Sequence, residues 1–361
     1  MSAKTARRVQ HLRIPTLNAW DAAITWEEQG TTALDIEIAS SDGMPIPANH
    51  WSVRTEECSA TRFRRVTLEG LTPDTAYTFR LLATGMRAGS IAFRTLAVPQ
   101  GKRLARIAVV SDPHLTRNKT LRRGRLLGLS FRIFSSVLET IRNEEFDVLA
   151  IPGDLADKGD EEAYAFAREQ LGRLTIPRLI LPGNQDSLAM MKKYFPEIDS
   201  LSAAHCHGCT LVGIDTSQGR IESSLVSRIE AEIQRSRGTP TLAFTHYALA
   251  LTSDFVKDTA IPIRNSALKG VWGVFSGHKN AVHATRIGQT IHVTCPQIVH
   301  YPCAWSVIEV YEEGLMVWMR QIDDLRLISL SRSEGERWIG DRWSEIRLGA
   351  LASRSFVHVP N

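Results

Sequence analysis

The chain has 361 residues, a formal net charge of +4, 43% hydrophobic and 23% charged residues. This length is generous for one hydrophobic core and accommodates two domains, and the composition is that of a soluble globular protein. The small net charge does not indicate a nucleic-acid partner. No apolar stretch approaches the roughly 20 residues of a membrane-spanning helix, and the basic N-terminus leads into no apolar signal segment. We therefore expect a cytoplasmic protein without membrane contact.

The five cysteines are an odd number, which excludes a full disulfide framework. The segment Cys206-His207-Gly208-Cys209 has the spacing of half a zinc site, but no second such pair occurs. An apolar run resumes directly at Thr210, so the sequence predicts a turn between two strands. A metal-binding role involving His205 and His207 stays open at this point.

Residues 15–98 follow a basic tail, 1–14, and are predicted to form many short strands separated by turn residues. A Pro-led turn after Leu68 enters a strand that carries Tyr77, the arrangement of a tyrosine corner in a β-sandwich. With Trp26 on an early strand, this region resembles a fibronectin type III domain. We expect it to fold independently, to contribute no catalytic group, and to offer a surface for a protein partner or an oligomer contact.

From residue 102 to residue 325, strand-like and helix-like segments alternate, which indicates an α/β domain. Apolar residues recur at helical spacing between Leu129 and Ile141 and predict one buried helix face. A second helix is predicted over residues 222–235, and late strands over residues 290–294, 305–311 and 315–321. The C-terminal extension, 326–361, is predicted to pack back on this domain as a short helix.

Five polar segments each follow a strand-like stretch of this second domain. They are Asp112-Pro113-His114, Gly153-Asp154-Leu155-Ala156-Asp157, Gly183-Asn184-Gln185-Asp186, Thr245-His246-Tyr247 and Gly277-His278-Lys279-Asn280. Carboxylate, imidazole and amide groups at strand ends suit a divalent-metal site built of loops, and glycines let the backbone approach it closely. Ligands of an open α/β sheet collect beyond the carboxyl ends of the strands, so we expect the five segments to converge.

The ordered set D-x-H, G-D-x-x-D, G-N-x-D, H and G-H resembles the calcineurin-like metallophosphoesterase superfamily over residues 106–323. The resemblance implies a β-sandwich flanked by helices and two divalent metal ions, with Mn, Fe, Zn and Mg all open. It further implies a phosphodiesterase that hydrolyses a small nucleotide-like or organic phosphodiester. In-line attack by a metal-activated hydroxide is the chemistry that such a centre supports.

The resemblance also implies roles for individual residues. Asp112 and His114 would ligate the first metal, Asp154 would bridge both metals, and Asn184, His246 and His278 would complete the second site. Asp157 would not be a ligand but would hold either a ligating imidazole or neighbouring backbone in place. The residues expected to serve catalysis, directly or by positioning, are Asp154, Asn184, Gln185 and Asp157.

Two positions depart from the family pattern. Gln185 stands where the family has a histidine that protonates the leaving oxygen, and an amide cannot act as a general acid. Asn280 stands where a second histidine binds the first metal, and its amide oxygen is expected to ligate more weakly. His283 is an alternative ligand for that position, and His300 is a candidate replacement acid.

Two other functions remain open from the sequence. One is a phosphomonoesterase at the same site, although the ending of Gly183-Asn184-Gln185-Asp186 resembles the diesterase relatives. The other is a catalytically attenuated metal-binding protein whose sandwich domain recognises a partner. Arg117, Arg122, Arg123 and Arg125 follow the first motif and could either attract an anionic substrate or form a solvated loop.

Overall fold

The computed structural model describes residues 8–29, 34–58, 61–83, 85–249 and 260–360. Its N-terminal part contains seven strands: β1 Arg8–Leu17, β2 Ala22–Gln29, β3 Leu34–Ser40, β4 Trp51–Cys58, β5 Thr61–Leu68, β6 Ala76–Ala83 and β7 Met86–Arg94. They form two antiparallel sheets with the orders β1-β2-β5-β4 and β3-β6-β7. This distribution is that of a constant-type immunoglobulin sandwich. The closer resemblance to a fibronectin type III domain stays a prediction.

The predicted core features of this sandwich are present. Trp26 on β2 is fully buried and its ring lies 5.6 Å from that of Phe79 on β6. At the start of β6, the backbone N–H of Thr72 donates to the hydroxyl oxygen of Tyr77 at 2.9 Å. This bond ties the incoming turn to the strand, as a tyrosine corner does.

The second part contains fourteen strands and seven helices among the described residues. The strands are β8 Arg103–Val109, β9 Leu121–Arg122, β10 Arg125–Leu126, β11 Val148–Pro152, β12 Arg178–Leu181, β13 Leu201–Cys206, β14 Cys209–Ile214, β15 Thr241–Thr245, β16 Val271–Ser276, β17 His283–Ile287, β18 Thr290–Thr294, β19 Ala304–Tyr311, β20 Gly314–Gln321 and β21 Ser355–His358. The helices are α1 Ser130–Asn143, α2 Glu161–Leu171, α3 Leu188–Tyr194, α4 Ser223–Arg235, α5 Leu325–Ile339, α6 Trp343–Leu348 and α7 Leu351–Arg354.

These strands form two six-stranded sheets and one short hairpin. The sheet orders are β12-β11-β8-β19-β20-β21 and β13-β14-β15-β16-β18-β17. One apolar core lies between the sheets, with Ile107, Val109, Phe244 and Phe275 among its fully buried members. Helices α1 and α2 cover the other face of the first sheet, and α4 packs against the second sheet. The mixed α/β class and the helix-flanked pair of sheets agree with the prediction.

Local predictions are confirmed in several places. Helix α1 buries Phe134, Val137, Leu138 and Ile141 on one face. Residues 207–208 form the turn between β13 and β14, whose last and first residues, Cys206 and Cys209, are register partners. Their thiols are free and 3.8 Å apart, and within the described residues neither belongs to a group that could hold a metal.

The C-terminal extension differs from its prediction as a short helix. It contains α5, α6 and α7, and it ends in β21, which pairs antiparallel with β20 at the edge of the first sheet. A four-residue strand after a short helix carries too weak a periodicity to be recognised from the sequence, and its partner strand lies more than 30 residues away. None of the helices in the described ranges has the length and hydrophobicity needed to cross a membrane.

This extension also joins the two parts of the molecule. The guanidinium of Arg332 on α5 forms an ion pair with Glu27 on β2, and both side chains are over 90% buried. Arg354 donates from Nε and Nη2 to the backbone oxygen of Ile14 at 3.1 and 2.9 Å. Phe63 of the sandwich lies in the same apolar cluster as α1 and α5. The sandwich therefore packs on the second part through buried polar contacts as well as apolar ones.

Candidate metal centre

The five polar segments converge beyond the carboxyl ends of β8, β11, β12, β15 and β16. Five of the candidate ligands have backbone φ angles in the left-handed region: Asp112 (49°), His114 (43°), Asp154 (50°), His278 (61°) and Asn280 (58°). Residues with side chains rarely adopt this region, and strained backbone of about 1–3 kcal/mol per residue concentrates at functional sites. The strain at these loop residues indicates that the orientation of their side chains serves a function.

Glycines make room for this arrangement. A Cβ added at Gly277 would lie 2.4 Å from Asp112 Oδ2, and one added at Gly183 would lie 2.2 Å from the backbone nitrogen of Asp154. One added at Gly153 would lie 2.4 Å from His246 Nδ1, and Gly153 also has a φ of 98°. These distances are too short for any Cβ, so the close approach expected from the sequence is required at all three positions.

A first group of candidate ligands contains Asp112, His114 and Asp154, whose ligand atoms lie within 4.8 Å of one another. All three side chains are buried, and Asp154 Oδ2 lies 3.6 Å from His114 Nε2. The backbone N–H of His278 donates to both carboxylate oxygens of Asp112, at 3.0 and 3.2 Å. Burial raises the pKa of Asp112, because a charged carboxylate without solvent is disfavoured.

A second group contains Asp154 again, together with His246 and His278. Asn184 completes it: its Oδ1 lies 2.9 Å from His246 Nε2 and 2.9 Å from His278 Nδ1. Burial lowers the pKa of His278 to about 4, so its imidazole is neutral at pH 7 and has a lone pair for a metal. Because Asp154 belongs to both groups, the two sites would share one carboxylate.

The hydrogen bond of His246 fixes which of its nitrogens faces the site. His246 Nδ1 lies 3.1 Å from the backbone oxygen of Pro152, an acceptor only, so in the neutral ring the proton is on Nδ1. Its Nε2 then presents a lone pair to Asn184 Oδ1 and, at 3.4 Å, to Asp154 Oδ1. Three electron-rich atoms converge on one point, an arrangement that a cation stabilises. The donor set therefore fits a divalent metal.

Neighbouring residues contact these candidate ligands. Asp157 Oδ1 lies 3.4 Å from His114 Nδ1, on the side of the ring opposite to Nε2, which lies 3.6 Å from Asp154 Oδ2. Contact with His114 lowers the pKa of Asp157, and the charges of Arg125 and Lys158 add to this effect. The backbone N–H of Gln185 donates to Asp154 Oδ1 at 2.8 Å, a contact that does not depend on the side chain at this position.

Asn280 is buried, and its Oδ1 has no hydrogen-bond partner among the described residues. A buried amide oxygen without a partner costs free energy, which a metal ion would recover by accepting it as a ligand. This observation fits the expected use of Asn280 in the first site. His283, the alternative, begins β17 at a register position opposite Thr294, and its Nε2 lies 2.8 Å from Thr285 Oγ1.

The remaining candidates lie apart from the ligands. His300 is buried, its Nε2 donates to the backbone oxygen of Arg123 at 3.1 Å, and burial keeps its pKa well below the usual value. A histidine that stays neutral and already uses its proton is a poor replacement acid. Arg117 forms an exposed ion pair with Glu162, which matches the solvated-loop alternative, whereas Arg125 is half-buried and acts electrostatically on Asp157.

Asp186, for which the sequence predicted no role, connects two of the loops. Its carboxylate accepts backbone N–H groups of Leu155 (3.1 Å), Ala156 (2.9 Å) and Gly183 (2.8 Å) and the hydroxyl of Tyr164 (3.0 Å). Burial raises its pKa to about 6. The fourth position of the G-N-x-D segment was the available signal. Tyr247, whose ring lies 4.1 Å from that of His278, was also missed, because ring contacts leave no sequence pattern.

Comparison with known proteins agrees with this geometry. Residues 105–260 match the family described as calcineurin-like phosphoesterase. The chain therefore contains a calcineurin-like phosphoesterase domain. The matched range holds the ligand segments from Asp112 to His246, and the fold adds His278 and Asn280 from beyond it. The predicted metal-dependent phosphoric ester hydrolase is confirmed at the level of this family.

Individual relatives are phosphodiesterases by name. A probable cyclic nucleotide phosphodiesterase of Fibrobacter succinogenes is 25% identical over 54% of this chain and 80% of its own length. A glycerophosphodiester phosphodiesterase of Enterobacter lignolyticus is 27% identical over 44% of this chain and 64% of its own length. A 3',5'-cyclic adenosine monophosphate phosphodiesterase of Haemophilus influenzae is 29% identical over 29% of this chain and 38% of its own length.

Proposed function

We propose that this protein is a dinuclear metal-dependent phosphodiesterase that hydrolyses a small nucleotide-like or organic phosphodiester. The observation that supports it most is the pair of ligand groups that share Asp154. Asp112 and His114, with Asn280, would hold one ion, and Asn184, His246 and His278 would hold the other. Bound divalent ions would supply Lewis-acid activation of water and neutralise the charge of the phosphoryl group.

The chain's own residues orient this centre. Pro152 O sets the tautomer of His246, and Asp157 directs the ring of His114. The N–H of Gln185 and the carboxylate of Asp186 hold the loops that carry Asp154 and Asn184. Such support is worth about 10- to 100-fold in metal affinity in other metal sites. The relatives named for diesters, and the diesterase-like G-N-x-D segment, favour a diester over a monoester.

The side chain of Gln185 bears on whether the leaving oxygen is protonated as the ester bond breaks. An amide donates a hydrogen bond but no proton, so the leaving oxygen receives no general-acid assistance from this residue. His300 does not replace it, because its single proton is used at the backbone of Arg123. The rate is therefore expected to depend steeply on the pKa of the leaving group, with activated aryl esters hydrolysed far faster than alkyl esters.

The test is hydrolysis of paired chromogenic monoesters and diesters with added Mn²⁺, Mg²⁺, Zn²⁺ or Fe²⁺, using a series of aryl and alkyl leaving groups. We expect faster turnover of diesters and a steep dependence on leaving-group pKa. Gln185→His should then help alkyl esters more than aryl esters, by up to about 10²–10⁴-fold. Preferred turnover of monoesters would support the monoesterase alternative, and metal binding without any turnover would support the attenuated binding protein.

A further inference from the structure

Gln297 lies against the first ligand group, and neither motif nor spacing marks it. It follows β18 and forms a parallel bridge with Ser111, the residue before Asp112. Its backbone oxygen accepts the N–H of Ala304 at 3.0 Å, and its side chain is 1% exposed. Gln297 Nε2 lies 3.2 Å from His114 Nε2. A buried amide therefore points at the nitrogen that faces Asp154.

The nitrogen of this amide has a hydrogen-bond partner and the oxygen has none among the described residues. Gln297 Oε1 is buried and, like Asn280 Oδ1, has no hydrogen-bond partner among the described residues. Gln297 Nε2 donates to His114 Nε2, whose lone pair is the one a metal ion would need. One lone pair cannot serve both an N–H group and a metal ion. An ion at His114 would therefore displace the amide N–H.

A half-turn of the amide resolves this conflict, because it exchanges the oxygen and the nitrogen while the rest of the side chain keeps its place. The oxygen would then lie about where Nε2 lies, 3.2 Å from His114 Nε2. Two ligand atoms that each lie about 2.1 Å from one ion are separated by about 3.0–3.4 Å in octahedral and tetrahedral geometry. The observed separation falls in this range.

We propose that Gln297 is a ligand of the first metal ion through its side-chain oxygen, which partly replaces the imidazole absent at Asn280. This inference rests on the proposed dinuclear centre and adds a residue to it. Two neutral amide oxygens in place of one imidazole make the first site harder, and it should therefore favour Mn²⁺ or Mg²⁺ over softer ions more than the second site does.

The experiment is calorimetric titration of the full chain with Mn²⁺, together with the visible spectrum of the Co²⁺-loaded protein. Gln297→Leu removes the oxygen at similar volume and should weaken one of two ions by about 10- to 100-fold and leave the other unchanged. Gln297→Glu replaces the neutral oxygen at this position with a charged carboxylate oxygen and should bind that ion at least tenfold more tightly than the wild type. Gln321→Leu, at a buried glutamine on β20 that contacts the same loop through Pro302 O but belongs to neither ligand group, is the matched control and should change neither affinity.

Two unchanged affinities and an unchanged Co²⁺ spectrum in folded Gln297→Leu would overturn the proposal while leaving the dinuclear centre intact. If Gln297→Leu does not fold, Gln297→Glu decides, because a carboxylate ligand must tighten the first ion at least tenfold and alter the Co²⁺ spectrum. Unchanged binding in that variant would also overturn the proposal. A wild-type chain that binds fewer than two ions would instead contradict the proposed function itself.

Discussion

At this site, residues with strained backbone lie next to glycines. Asp112 and His278 occupy the left-handed region, and Gly277 lies directly beside them in space. Each strained residue costs free energy that the fold must supply elsewhere, so the arrangement is retained only where its geometry is used. The glycines are as necessary to this arrangement as the candidate ligands, because no other residue allows the loops to approach so closely.

Gly277→Ala tests this requirement. Its Cβ would lie 2.4 Å from Asp112 Oδ2 and 2.5 Å from Ser111 Oγ, so the carboxylate must move out of its position. We expect at least a tenfold loss of affinity for one metal ion, measured by calorimetry, since ligand misplacement has effects of this size. In Gly89→Ala, the added Cβ meets side chains at 3.4 Å, an ordinary contact, and metal binding should not change. Equal affinities in the two variants would contradict the close-approach argument.

A buried histidine away from the metal centre predicts a pH dependence of stability. His292 on β18 is 6% exposed, and burial lowers its pKa from 6.5 to about 4. Between these values the unfolded chain binds a proton and the folded chain does not. His292 therefore costs no stability above pH 6.5, and the free energy of unfolding falls as the pH drops from 6.5 toward 4. The loss from His292 between pH 7 and pH 5 should be roughly 2 kcal/mol.

Urea unfolding of the wild type and His292→Leu at pH 7 and pH 5 measures this contribution. The variant should lose less stability on acidification than the wild type. His207→Asn removes an exposed imidazole from the turn after β13 and is the control. It should lose as much stability between pH 7 and pH 5 as the wild type. If His292→Leu and the wild type lose the same free energy between the two pH values, His292 is not the source.

At the scale of elements, helix α5 connects the sandwich to the phosphoesterase domain. Its Arg332 contacts Glu27 on β2, Glu336 one turn later on α5, and His11 on β1. A buried ion pair contributes little net stability compared with an apolar pair, but removing one partner leaves an uncompensated charge. The orientation of the sandwich is therefore held by an ion pair, and removing only one of its two partners destabilises the protein.

Glu27→Leu should accordingly destabilise the protein by about 3 kcal/mol, the lower end for a broken buried pair because Glu336 still faces Arg332. Adding Arg332→Leu should recover much of this loss, and thermal or urea unfolding of the four-member cycle measures the coupling. Glu169→Leu breaks the exposed Glu169–Arg173 pair and should cost less than about 1 kcal/mol. A Glu27→Leu cost as small as that of Glu169→Leu would show that the pair does not hold the interface.

At the scale of the whole molecule, the sequence predicted what local patterns and strand ends determine. The face of α1, the turn at Cys206-Cys209 and the meeting of five loops follow from apolar periodicity and from α/β topology. Strand β21 and the Glu27–Arg332 pair were not predictable, because they depend on contacts between residues hundreds of positions apart or on very short segments. Gln297 was missed for the same reason, since its place beside His114 comes from the sheet and not from a motif.

The central claim is that two metal ions share the carboxylate of Asp154. The most direct measurement is the number of divalent ions bound per chain, by elemental analysis after equilibrium dialysis, in the wild type and in Asp154→Asn. We predict two ions in the wild type and fewer than two in Asp154→Asn, while Asp341→Asn, an exposed carboxylate, keeps two. A wild type that binds one ion or none, or an Asp154→Asn variant that retains two with unchanged affinity, would contradict the shared site.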